Sequence, residues 1–247
     1  VYLKLTIAGI LIVMGSFTRA QIASDSFLFP EPLNKGKDLS LWATRYYIHE
    51  FQSSGNIPIV YANAGPSGLY ADTCDFCTAS LEGTAYVRDS SGTVHVINFA
   101  RTGEETGVDC RKCKKYTSSK LNVESWGKTL WTKSEGFGDG VRNYRLVPFR
   151  TVAVDPAMIP YGTVIYIPAA RGKLVSLPNG KQEIHDGYFF AGDTGGAIKK
   201  NHIDVFTGIY SGNPFPAVIQ SNENKLFEAV IVTDADIVNA LRSLHEK

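Results

Sequence analysis

The sequence predicts a mainly β fold, a barrel or a sandwich of short strands, on three observations. Beyond residue 150, five short apolar runs follow one another: RTVAVD (150–155), GTVIYIP (162–168), GYFFAGD (187–193), HIDVFTG (202–208) and FEAVIV (227–232). Glycine and proline punctuate the joins between them, as they do wherever regular structure stops. One segment alone has convincing helical periodicity, the C-terminal DADIVNALRSLHEK, with Ile237, Ala240, Leu241 and Leu244 on one face and Thr233 or Asp234 placed to cap it. Short strands with few helices belong to barrels and sandwiches. The 247 residues are 44% apolar and 20% charged, which excludes a disordered or collagen-like chain and suffices for a sizeable core.

Residues 1–20, VYLKLTIAGILIVMGSFTRA, place one cation, Lys4, before an apolar run from Leu5 to Phe17, then small residues at Thr18 and Ala20. This reads as a secretory signal peptide, because a membrane-spanning helix needs about 20 apolar residues. Export to a periplasm or an extracellular cell envelope is expected, with no stable membrane anchor after cleavage. Loss of Lys4 and Arg19 takes the formal charge from +1 to −1. Neither value gives a global electrostatic reason to bind nucleic acid. The chain is read as a monomer.

Residues 21–39 are a leader, and the domain proper is expected over 40–247 with an insertion at 52–145. LSLWATRYYIHEF (39–51) is β-branched and aromatic and reads as one strand. Residues 52–80 are rich in Gly, Pro, Asn and Ser and carry few strand signals. Two CxxC pairs, Cys74/Cys77 and Cys110/Cys113, flank a hairpin of GTAYVRD and TVHVINFA joined at Ser90-Ser91-Gly92. Two knuckles beside a hairpin fit a structural zinc ribbon, and they equally fit two disulfides between the knuckles. Export favours the disulfides. The basic stretch from Arg111 to Lys120 reads as a solvated loop. GKTLWTK (127–133) and YRLVPF (144–149) are strand candidates around the turn GFGDG (136–140).

The segment densest in chemistry runs from Gly192 to Phe206, with Asp193 and Asp204 each bordering an apolar strand. A carboxyl emerging from an apolar strand is poorly solvated, so its pKa should rise towards the range a general acid needs. The Gly195-Gly196 pair permits close backbone approach and positive φ. On spacing alone, two turn-capping aspartates would explain the pattern as well. His202, two residues before Asp204, shares its face on a strand. No metal motif stands out among His49, His95, His185, His202 and His245, and no cofactor motif is present.

TVAVDPAMIPYGTVIYIP (151–168) followed by FFAGDTGGAIKKNHIDVFTG (189–208) resembles the three-aspartate (3D) domain, the barrel of the membrane-bound lytic transglycosylase A family. WATRYY (42–47) resembles that family's first strand more weakly. Lys200 stands where the family usually has Gly. The resemblance implies a six-stranded double-psi β-barrel with an inserted Cys-containing segment. It implies cleavage of the β-1,4 bond between N-acetylmuramic acid and N-acetylglucosamine in peptidoglycan glycan strands, giving a 1,6-anhydromuramoyl product and using no cofactor.

Asp204 matches the single catalytic acid and base, Asp193 the second aspartate, and Asp155 the third, which serves equally well to hold a turn. Thr194, Gly195, Gly196, Lys199, His202 and Tyr47 are the expected substrate-binding residues. Trp42 and Tyr46 also suit a groove, though strand aromatics usually lie in the core. The competing readings are an expansin-like, non-catalytic wall-binding module, and an aspartic protease on the strength of Asp193-Thr194-Gly195. The latter enzymes need two such aspartates, and the chain has one.

Overall fold

A computed structural model describes residues 27–104 and 107–247. Residues 1–20, read above as a signal peptide, lie outside the described residues, as does the start of the expected leader. Among the described residues, no helix is long and apolar enough to cross a membrane.

The chain begins with β1 (Lys35–Tyr46) and then leaves it for a second sheet. That sheet holds β2 (His49–Gln52), β3 (Ile57–Tyr61), β4 (Gly65–Ala71), β5 (Thr84–Arg88), β6 (Val94–Thr102) and β7 (Thr129–Ser134), with α1 (Thr73–Glu82) and α2 (Val123–Trp126) packed beside it. The chain then returns through β8 (Thr151–Ala153) and β9 (Val164–Tyr166). A small ribbon of β10 (Leu174–Ser176) and β11 (Gln182–Ile184) follows. The last elements are β12 (Tyr188–Asp193), β13 (His202–Phe206), β14 (Phe227–Val232) and α3 (Ala235–His245).

Six strands close into a barrel in the order β1-β13-β8-β12-β9-β14, and the second sheet runs β2-β5-β6-β7-β3-β4. In the barrel β1 with β13 and β8 with β12 are parallel, and the other neighbours are antiparallel. Exchanging β1, β8 and β9 for β12, β13 and β14 reproduces every pairing and its direction. This internal two-fold is the topology of the double-psi barrel.

Alternation along the strands decides what faces inward. Leu39, Leu41 and Ala43 of β1 meet Ile203 and Val205 of β13 and Phe189 and Ala191 of β12 in the barrel core. Residues of the opposite parity face outward. On one side α3 covers them, with Ile237 and Leu241 against Val164, Tyr188, Phe190 and Val230. On the other, Leu146 and Ile198 close over Tyr46, Ala153 and Phe206. The second sheet has a core of its own around Trp131, Ile97 and Phe76.

Four local expectations are corrected. The single strand over 39–51 is two, because the chain changes sheets at residues 47–48: β1 pairs within the barrel and β2 pairs with β5. Residues 52–80 hold β3, β4 and α1, which their glycines and polar residues conceal. Gly55, Gly65 and Gly68 all take positive φ there. YRLVPF is no strand; Arg145 makes one isolated bridge to Asp139, and Phe149 sits at φ 60° with its ring buried. Asp234 stands at the cap position of α3, but its carboxylate accepts from the Leu33 and Asn34 N–H groups instead of from the helix.

The cysteines form the two disulfides favoured above, between the two CxxC pairs, but one pair sits in a helix and not in a knuckle. Cys74 and Cys77 lie in α1, whose N-cap Asp72 accepts from the N–H groups of Cys74 and Asp75. The bridges are Cys74–Cys113 and Cys77–Cys110. Adjacent turns of one helix are thus sewn to one short loop. No thiolate is left for zinc, and among the described residues no group of three or more His, Cys, Asp or Glu is placed to hold a metal ion.

Candidate active site

The site grows from the parallel pairing of β1 with β13. That register sets Trp42 beside His202, Thr44 beside Asp204 and Tyr46 beside Phe206, all on the outer face of the barrel. Asp204 therefore emerges next to a hydroxyl, and the Thr44 Oγ1–H donates to its Oδ1 at 2.7 Å. Two residues further along the same face, the Tyr46 hydroxyl donates to Oδ2 of Asp193 at 2.8 Å. Asp193 ends β12, and its Oδ1 accepts from the Thr194 N–H at 2.8 Å. Two carboxyls from different strands are thus held by two side chains of one strand.

Burial raises both acids. Asp204 is pushed up to about 8, first by desolvation and then by the neighbouring carboxyls of Glu82 and Asp193, against the lowering effect of the Thr44 bond and of Arg45. Asp193 is raised to about 6 by desolvation, moderated by the bonds from Tyr46 and Thr194. Near neutral pH Asp204 thus holds a proton while Asp193 is mostly ionised. That separation is what acid–base chemistry from a carboxyl pair requires.

The third aspartate has a different surrounding. Asp155 Oδ1 accepts from the Ala157 N–H at 3.0 Å, and Oδ2 accepts from the Lys200 N–H at 2.8 Å. These bonds hold its carboxyl below the usual range. Its carboxylate ties the turn after β8 to the loop that leads into β13. Lys200 occupies that loop at φ 56°. The left-handed residue in this loop is therefore Lys200, and Gly195 and Gly196 are not among the residues of positive φ. Gly195 serves close approach instead: a Cβ there would lie 2.9 Å from Ile198 Cγ1. Gly140 is tighter still, since a Cβ would lie 2.2 Å from the carbonyl oxygen of Gly192, beside Asp193.

The remaining expected binding residues divide. Thr194, Gly196 and Lys199 are exposed in the loop between β12 and β13, and Thr194 Oγ1 donates to the Val154 carbonyl at 3.2 Å. Tyr47 is half-buried with the Arg45 guanidinium 5.5 Å from its ring centroid. His202 is buried; it stacks on Trp42 at 3.6 Å and its Nε2 lies 2.8 Å from Thr44 Oγ1.

Two residues of this site, Thr44 and Glu82, and the role of a third, Tyr46, escaped the sequence reading. Thr44 and the role of Tyr46 had a faint signal, the alternation Trp42, Thr44, Tyr46 along one strand. Glu82 had none. It is the last residue of α1, and its Oε2 accepts from the Tyr47 N–H at 3.0 Å. Burial raises it to about 7. The inserted sheet thereby delivers a third carboxyl near Asp204.

Comparison with known proteins agrees with the motif. The family model described as the 3D domain matches residues 150–212. No curated protein matches the chain. Among solved structures, E. coli MltA with bound chitohexaose is 17% identical, covering 78% of this chain and 71% of that one at a TM-score of 0.49. A membrane-bound lytic murein transglycosylase from Agrobacterium tumefaciens is 15% identical, covering 81% and 76%, also at 0.49. MltA from Neisseria gonorrhoeae is 12% identical, covering 80% and 74%, at 0.46. The protein thus carries a 3D domain at residues 150–212, which supplies β8, β9, β12 and β13 of the barrel and both paired aspartates.

Proposed function

We propose that the protein is an exported lytic transglycosylase that cleaves peptidoglycan glycan strands, with Asp204 as its single acid and base. The observation that carries this is the Asp204 carboxyl, raised to about 8 by burial and set 2.7 Å from the Thr44 hydroxyl on the outer face of the barrel. In its protonated form Asp204 gives its proton to the glycosidic oxygen as the C1–O bond breaks. The resulting carboxylate then takes the proton of the muramoyl C6 hydroxyl, whose oxygen bonds to C1 and closes the 1,6-anhydro ring. Asp204 ends reprotonated and no water is consumed. An intramolecular nucleophile brings its own effective molarity, so a second activating base is unnecessary.

Asp193, ionised and held by Tyr46, faces the positive charge that develops at C1. Asp155 positions the loop that leads to Asp204. Thr194, Gly196, Lys199 and Tyr47 line the approach of the glycan. The two disulfides suit an oxidising cell envelope.

The test is mass spectrometry of soluble products from purified sacculi. Wild type is expected to release muropeptides with anhydro ends, and Asp204→Asn to lose about 10²–10⁴-fold in rate with the fold intact. Reducing ends would mean a hydrolase. Glycan binding with no soluble product would mean a binding module.

A further inference from the structure

Thr44 has one hydroxyl proton and two neighbours that compete for it. Asp204 Oδ1 lies 2.7 Å away and His202 Nε2 lies 2.8 Å away. A hydroxyl donates one bond and accepts others. If His202 carries its proton on Nε2, that N–H donates to Thr44 Oγ1, and the Thr44 hydrogen must go to Asp204 Oδ1. Oδ1 is then an acceptor, and the acid proton of Asp204 resides on Oδ2. If His202 carries its proton on Nδ1 instead, Nε2 accepts from Thr44. Thr44 must then accept from Oδ1, and the acid proton is trapped between Asp204 and Thr44. The imidazole tautomer thus decides which oxygen of Asp204 is the acid.

The base form of Asp204 demands the first arrangement: a carboxylate only accepts, so the Thr44 hydrogen must go to Oδ1 and Nε2–H fills the other contact of Thr44 Oγ1. The Ala197 carbonyl, an acceptor 3.4 Å from Nδ1, lies beyond the range of a good bond and gives the competing Nδ1–H tautomer little support. His202 is 7% exposed, and its ring lies flat on Trp42 with 6° between the planes. Burial holds the imidazole below its usual range, which keeps it neutral. Neither ring rotation nor protonation therefore interrupts the chain.

We propose that His202 and Thr44 are positioning residues that direct the acid proton of Asp204 onto Oδ2 through the chain His202 Nε2–H, Thr44 Oγ1–H, Asp204 Oδ1. This rests on the transglycosylase reading above and assigns His202 away from the substrate. The bond from Thr44 persists through the reaction. It accepts no proton from Asp204 in the acid form and supports the carboxylate in the base form. The other ionisable groups facing Asp204 are Asp193 from β12, Glu82 from α1, and Arg45 and Tyr46 from β1.

The experiment compares Thr44→Val, which keeps shape without a donor, with Thr44→Ser, which keeps the donor. His202→Gln, which retains an N–H, is compared with His202→Phe, which retains only the stack. Two readouts are taken: kcat and KM for soluble glycan release, and the titration of Asp204 followed by carboxyl ¹³C NMR. Thr44→Val is expected to lower kcat by about 10- to 100-fold with little change in KM, the worth of one bond to a charged group. It should also move the Asp204 titration to higher pH. Thr44→Ser should recover both readouts, and His202→Gln should retain more kcat than His202→Phe.

A Thr44→Val protein with the wild-type titration and kcat would overturn the proposal, as would a loss confined to KM. If wild type releases no soluble glycan, the functional reading fails. The titration then decides the hydrogen-bond chain by itself: an unmoved Asp204 in Thr44→Val overturns it, and a shift reversed in Thr44→Ser upholds it.

Discussion

Replacing Asp204 by asparagine should cost activity and change how stability depends on pH. An unfolded aspartate titrates near 3.8, and burial moves Asp204 in the fold to about 8. Between these values the folded protein holds a proton that the unfolded chain releases. The contribution of Asp204 to stability is therefore full below about pH 4 and falls as pH rises towards 8. Each pH unit inside the window is worth about 1.4 kcal/mol for a fully decoupled site. Because the carboxyl reaches solvent in part, about 1–3 kcal/mol is the expected loss from pH 5 to pH 8.

Asparagine does not titrate, so this loss should vanish in Asp204→Asn. Asp193 and Glu82, raised to about 6 and about 7, add slopes of the same sign. His185 and His245, lowered to about 3 and about 4 by burial, add the opposite sign, since their neutral folded forms gain stability as pH rises. The two histidines cancel in the difference, while Asp193 and Glu82 cancel apart from their repulsion with an ionised Asp204, which the variant lacks and which acts in the same direction. Urea unfolding of the two proteins at pH 5, 6, 7 and 8 gives the comparison, with unchanged m-values as the control. The variant should gain on wild type steadily with pH. Parallel curves would show that Asp204 is not held protonated by the fold, and would remove the physical basis for its role as an acid.

Other expectations follow from the same geometry. Lys200→Gly relieves a left-handed residue and keeps its N–H for Asp155; thermal unfolding should show a gain of up to about 1 kcal/mol, with Lys200→Val losing more than that. Tyr46→Phe removes a bond that lowers Asp193, so the pH–rate profile should move its acid limb to higher pH. Gly140→Ala forces a Cβ onto the Gly192 carbonyl and should cost about 1–3 kcal/mol in denaturant together with a fall in kcat, as the end of β12 shifts. Reducing both disulfides opens loops of 39 and 33 residues; a loss of about 3–4 kcal/mol for the outer bridge should appear as earlier melting of the inserted sheet, read by tryptophan fluorescence of Trp131.

Much of the barrel is legible in the sequence because its strands obey local rules. RTVAVD, GTVIYIP, GYFFAGD, HIDVFTG and FEAVIV each contain a barrel strand, bounded by glycine or proline where the chain turns. The amphipathic stripe of α3 is equally local, with Ile237 and Leu241 buried. The inserted sheet is less legible. Its strands β3 and β4 hold Pro58, Gly65, Pro66 and Gly68, which argue against strands, and their pairing with each other and with β7 overrides that preference.

The sequence by itself determined the short-strand architecture, the terminal helix and the two aspartates bordering apolar strands, because periodicity and turn chemistry act over a few residues. It favoured disulfides over zinc only through the expected compartment and left their pairing open, since that depends on which cysteines the fold brings within bonding distance across 33 and 39 residues. Nor could it find Thr44, Tyr46 and Glu82 as the groups that hold and tune the pair. Asp204 meets Thr44 across 160 residues through the parallel register of β1 with β13, and Asp193 meets Tyr46 across 147 through barrel closure, neither of which a local pattern encodes. The tertiary structure decided the chemistry of the site because a carboxyl's proton affinity is set by what surrounds it in space.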